Sequence, residues 1–144
     1  MMTAKQYLMQ INDMKKRIKE KRFQIESLRE SLVSTSANID GNRVQSSGSH
    51  DKIGSGMAKI VDRERELESY IIRFLEVERE ISGQIDGLNV SIYREVLHWR
   101  YVCGFTFEKT AVAMDYSYKQ TTRIHGKALL EFTRVYGELF EKMS

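Results

Sequence analysis

The chain has no proline and a single cysteine, Cys103, among 144 residues. Without proline no residue locks φ or removes a backbone donor inside a helix, and no extended Pro-rich segment can form. One thiol forms no internal disulfide, and no Cys/His cluster has metal-ligand spacing, so a disulfide scaffold and a zinc module are both excluded. Long apolar runs are missing too. No stretch approaches the roughly 20 residues needed to cross a bilayer, and no signal-peptide pattern follows Lys5. A formal net charge of +3 rules out a polycation that coats nucleic acid by bulk charge. The expected setting is a reducing cytoplasm, with no membrane partner and no cofactor.

What remains is rich in Lys, Arg, Glu, Gln, Ile and Leu, a composition that favours helix. Charge is unevenly placed. Residues 1–33 hold eight basic and four acidic side chains, residues 57–88 five and eight, and residues 89–144 eight and six. Two heptad seams organise the first 88 residues. Ala4, Tyr7, Ile11, Met14, Ile18, Lys21, Ile25, Leu28 and Leu32 alternate steps of three and four, as do Met57, Ile60, Glu64, Leu67, Ile71, Phe74, Glu78, Ile81, Ile85 and Leu88. Opposite charge and similar length make the two helices antiparallel partners, either within one chain or exchanged between two, and their remaining apolar surface points to a homo-oligomer. Between them Ser34–Gly56 carries six serines and four glycines. That composition reads as a flexible link.

After Gly87 the periodicity changes. Val90 to Tyr101 reads as a third helix closing at Gly104. Thr106 is placed to cap a short helix, Phe107 to Met114, with Phe107, Ala111 and Met114 on its apolar face. Asp115-Tyr116-Ser117 then makes a tight turn, and Ser117 caps a helix from Tyr118 to Leu130 or on to Phe140. Two helices joined by such a turn suit a helix-turn-helix, whose second helix offers its N-terminal end to the major groove. On that second helix Thr121 and Ile124 face inward, whereas Tyr118, Lys119, Thr122 and Arg123 face outward. Lys119, Arg123 and Lys127 form a basic stripe, with no acid between Asp115 and Glu131. Arginine donates two hydrogen bonds to a guanine edge, while lysine and threonine serve bases or phosphates. The candidate DNA-binding set is Tyr118, Lys119, Gln120, Thr122, Arg123 and Lys127; no catalytic or metal-binding set emerges. His125 lies on the same helix and is open to two readings, a phosphate contact or a structural role. His98 reads as a core-edge histidine, Trp99, Tyr101 and Phe105 as core, and Cys103 as a small buried residue.

Thr106-Phe107-Glu108-x-x-Ala111, followed by Tyr116-Ser117-Tyr118-x-Gln120-x-x-Arg123-Ile124-His125-x-Lys127-Ala128-Leu129, resembles region 4 of bacterial sigma-70 factors. Over nearly its whole length the chain is similar to a family of small phage and prophage proteins of Gram-positive bacteria. These join an N-terminal coiled coil to a sigma-region-4-like domain, and the run Gly41-Asn42-Arg43-Val44-Gln45 also resembles their link. The resemblance implies base contacts from Tyr118, Lys119, Thr122 and Arg123. It also implies a role in transcription, with RNA polymerase as a further partner. No counterpart of the promoter-melting region of sigma factors is present.

The sequence therefore predicts an all-α protein. Residues 1–88 form a long antiparallel helical hairpin (a coiled coil) with a flexible link at 34–56, and residues 89–144 form a trihelical helix-turn-helix domain. The function expected is sequence-specific binding of double-stranded DNA for transcriptional regulation, not enzymatic catalysis. The alternatives are a DNA-packaging adaptor like a small terminase subunit, or an interaction module that binds RNA polymerase.

Overall fold

The computed structural model describes residues 1–41 and 47–143, and the side chains of these outside 36–50. All regular structure among them is helical, with no strand. In chain order the elements are α1 (Ala4–Leu8), α2 (Gln10–Gly41), α3 (Ser47–Asp86), α4 (Ser91–Leu97), α5 (Phe107–Met114) and α6 (Tyr118–Phe140). A π-helical turn, His98–Val102, extends α4. Thr3 starts α1 with a capping box: its hydroxyl accepts from the Gln6 N–H at 3.2 Å, and the Gln6 side chain accepts from the Thr3 N–H at 2.9 Å.

Most of the stretch expected to be a link is helical instead. Residues 34–41 continue α2 and residues 47–56 open α3, whereas 42–46, including Asn42-Arg43-Val44-Gln45, lie outside the described residues. Helix propagation adds one backbone hydrogen bond per residue fixed, and no proline interrupts it. Serine is a tolerable helix residue, and each glycine costs only about 1 kcal/mol relative to alanine. At Gly56 a Cβ would stand 2.9 Å from Leu32 Cδ1, the free end of a half-buried side chain that can shift aside.

The chain resolves into two compact units, Lys15–Arg73 and Met1–Met14 together with Phe74–Ser144. In the first, α2 and α3 run antiparallel in a register set by Lys21 over the Tyr70 ring and by the Arg29–Glu64 ion pair. Ile18, Ile25 and Ile60 are buried there and the other seam positions are half-buried, except Met57, which is 50% exposed, a correction to its expected place in the seam.

The second unit is not the C-terminal stretch alone. Tyr7, Leu8 and Ile11 at one end of the chain, and Ile81, Ile85 and Leu88 near the middle, are buried together with Val96, Leu97, Tyr101, Phe132 and Phe140. The physical reason for this departure from a division at residue 88 lies in α6. Phe132, Tyr136 and Phe140 recur every four residues along it and need cover. Tyr7 supplies part of that cover, stacking on Phe140 at 5.0 Å and lying 6.0 Å from Phe132. Its hydroxyl donates to Gln84 Oε1 at 2.8 Å, so the phenol enters the core with its polar end satisfied.

Candidate nucleic-acid interface

The α5–turn–α6 segment is built from local rules that its residues obey. Thr106 is extended, and its hydroxyl accepts from the Lys109 N–H at 3.2 Å, which starts α5. Eight residues later the helix stops at Asp115, which adopts a left-handed conformation with φ 60°. The Tyr116 N–H then reaches the Ala111 carbonyl at 3.0 Å, and the Asp115 N–H the Val112 carbonyl at 3.2 Å. This pair of bonds is a Schellman closure, here made with aspartate where glycine is commonest. Two residues on, Ser117 opens α6 with a reciprocal capping box. Its hydroxyl accepts from the Gln120 N–H, and Gln120 Oε1 accepts from the Ser117 N–H, both at 3.1 Å.

The inner face of α6 fixes the helix against its neighbours. Thr121, His125, Ala128 and Phe132 are buried, and Thr121 returns its hydroxyl proton to the Ser117 carbonyl at 2.9 Å. His125 is 8% exposed, and Tyr101, fully buried, lies with its hydroxyl 2.6 Å from Nε2. Burial, with the Arg100 and Lys5 charges adding to it, pulls the imidazole down to about 4. Burial likewise pushes the Tyr101 phenol up to about 12. Both groups are neutral near pH 7, so the hydroxyl donates and Nε2 accepts. The Phe107 ring meets His125 edge-on at 4.8 Å, and the Arg100 guanidinium lies 4.7 Å above Phe107. Arg100 Nη1 donates to the Phe105 carbonyl at 3.0 Å, which ties the π turn to the loop that leads into α5.

These contacts settle several open positions. His125 is a core residue, not a phosphate contact. Cys103 is exposed, a correction to the expected burial, because it lies past the π turn beside Gly104, where φ is +75°. His98 bonds Asp86 at 2.7 Å, and Trp99 stacks on Phe105 at 5.1 Å with both rings half-buried. The His125–Tyr101–Arg100 group was hidden in the sequence, although His125 follows Thr121 by four residues and so shares its buried register.

The outer face of α6 carries the expected set. Tyr118, Lys119, Gln120, Arg123 and Lys127 are exposed and Thr122 is half-buried. Lys119, Arg123 and Lys127 form no ion pair among the described residues, whereas the next cation, Arg134, is held by Glu131 at 2.6 Å. The remaining three are differently engaged. Gln120 spends its carbonyl oxygen on the cap, leaving its amide N–H groups outward. Tyr118 meets the Phe107 ring edge-on at 6.3 Å, and Thr122 donates to the Lys119 carbonyl at 3.0 Å. The free cationic row thus consists of Lys119, Arg123 and Lys127. Among the described residues no cluster of His, Cys, Asp or Glu could hold a metal ion, and no helix is long and apolar enough to cross a membrane. No protein family, curated protein or solved structure matches the chain.

Proposed function

We propose that the chain is a sequence-specific regulator of transcription of phage or prophage origin, acting on double-stranded DNA in the cytoplasm of a bacterial host. In this reading α5 and α6 are the two helices of a helix-turn-helix like that of sigma region 4, and α6 is the recognition helix. One observation carries it: an acid-free, unpaired basic row, Lys119–Arg123–Lys127, stands on the exposed face of a helix whose opposite face is locked into a core. Unpaired cations at one-turn spacing suit a phosphate-lined groove, and a rigid helix holds them in register. Tyr118, Thr122 and the Gln120 amide complete the reading surface.

Arg123 is assigned to base edges and Lys127 to phosphate. Selection from random duplexes at two salt concentrations tests both assignments. Arg123→Ala is expected to flatten the enriched motif at one base pair, with a loss of about 1–3 kcal/mol. Lys127→Ala is expected to weaken all sequences alike and to lower the salt slope by about one. A wild-type protein that enriches no motif overturns sequence-specific regulation. A second reading, docking on RNA polymerase without DNA, is favoured by the outer side of α5. There Val112 is 83% exposed, and Phe105 and Ala113 join it in a shallow apolar cleft. A pull-down with polymerase that survives Arg123→Ala supports that reading.

A further inference from the structure

Two helices cannot bury each other all round, and the unit Lys15–Arg73 leaves large apolar side chains in water. Val33 is 68% exposed, Met57 50%, Val61 41% and Ile72 54%. At about 100° per residue, Arg22, Glu26, Arg29 and Val33 fall on one side of the Ile18–Ile25 seam of α2. On α3, Val61, Arg65, Glu68 and Ile72 fall on one side of the Ile60–Leu67 seam, and the seam-edge positions Met57 and Glu64 lean to that same side. The Arg29–Glu64 ion pair shows that these two flanks share one face of the antiparallel pair. That face is therefore a strip of apolar residues and alternating charge. Apart from Arg29 with Glu64, its charged groups form no ion pair across the two helices: Arg22, Glu26, Arg65 and Glu68 are all exposed and have none among the described residues.

The order of these groups matches its own reverse. Passing along α2, the flank reads basic at Arg22, acidic at Glu26, basic at Arg29 and apolar at Val33. Passing back along α3 in the register set by Lys21 on Tyr70, it reads acidic at Glu68, basic at Arg65, acidic at Glu64 and apolar at Val61. A two-fold axis parallel to the helices lays α2 of one copy over α3 of the other at the same height. Arg22 then meets Glu68, Glu26 meets Arg65, and Val33 covers Val61. Each contact occurs twice, as an isologous interface requires. We infer that this face is the dimer interface and that its occupant is a second copy of the chain, selected by the charge order as well as by apolar burial. The inference goes beyond the proposed function, gives the homo-oligomer expected from the sequence a specific interface, and does not require DNA.

The test is the mass of the full-length chain in solution, measured by sedimentation equilibrium without DNA. Wild type is expected to be a dimer. Arg22→Glu alone and Glu68→Arg alone each place like charges opposite one another twice, and each is expected to weaken the dimer at least about tenfold. Mixing the two variants restores both opposite-charge pairs, but only between different chains. Recovery to within about threefold of wild type is expected of the mixture. Circular dichroism of each variant confirms that the helices persist. A monomeric wild type overturns the inference, as do single reversals that leave the dimer intact or a mixture that fails to recover. Loss of DNA selectivity with the dimer intact would sink the proposed function and leave this interface standing.

Discussion

At the scale of single residues, His125 makes the stability of the protein depend on pH. Its imidazole is held to about 4 in the folded chain, against about 6.5 when unfolded. The unfolded chain therefore takes up a proton below pH 6.5 that the folded chain refuses until near pH 4. Stability is full above 6.5 and falls as pH drops through that window, by about 3 kcal/mol at most from this residue. Urea titrations between pH 7 and pH 4 should show the fall in wild type. His125→Gln, which has no proton to gain, should flatten it while lowering stability at pH 7. An equal slope in both proteins would show that carboxylates, not His125, set the dependence. Gly126, the next residue, poses the opposite problem. It sits inside α6 on the exposed side, and a Cβ there would meet nothing within 4 Å. No contact among the described residues requires a glycine there. Gly126→Ala should raise stability by about 0.5–1 kcal/mol. Because Gly126 lies between Arg123 and Lys127, the same change should weaken DNA binding if the groove floor approaches the helix closely. A thermal melt and a binding titration on the same protein separate the two effects.

At the scale of elements, both helix starts in the candidate interface were legible from Thr106 and Ser117, because an N-cap is a local contract between a hydroxyl and an N–H three residues on. The stop at Asp115 was legible only as a turn, since the left-handed conformation of a non-glycine residue has no strong sequence mark. Ser117→Ala should cost about 1 kcal/mol by removing the cap, as read by chemical denaturation. Gln120→Ala should cost part of that stability, through loss of the return hydrogen bond, and should weaken DNA binding less than Arg123→Ala. If Gln120→Ala instead erases the motif, its amide reads a base and the cap is secondary. The π turn at His98–Val102 was not legible at all. It lets Tyr101 point at His125 while Arg100 reaches Phe107, and both partners lie on helices further along the chain.

At the scale of the whole molecule, the second compact unit is assembled from both ends and the middle of the sequence. A fragment of residues 89–144 retains every candidate DNA contact but lacks Tyr7, Leu8, Ile11, Ile81, Ile85 and Leu88. Each fully buried side chain of this size contributes about 1.5–3 kcal/mol, so the loss is comparable to the entire stability of an ordinary domain, about 5–15 kcal/mol. The fragment should melt gradually by circular dichroism, whereas the full chain melts cooperatively; a sharp transition in the fragment would refute this account of the core. Local pattern alone marks the helical stretches, the two seams, the caps at Thr106 and Ser117 and the basic row of α6. These follow from periodicity and from bonds between residues a few positions apart, which any stretch of chain carries within itself. Packing in three dimensions fixed that the first 14 residues cover Phe132 and Phe140 and that His125 turns inward. It likewise decided that serine- and glycine-rich ends belong to long helices. Each of those outcomes depends on which apolar surface is nearest in space, and a heptad seam specifies that a partner is needed without saying which segment supplies it.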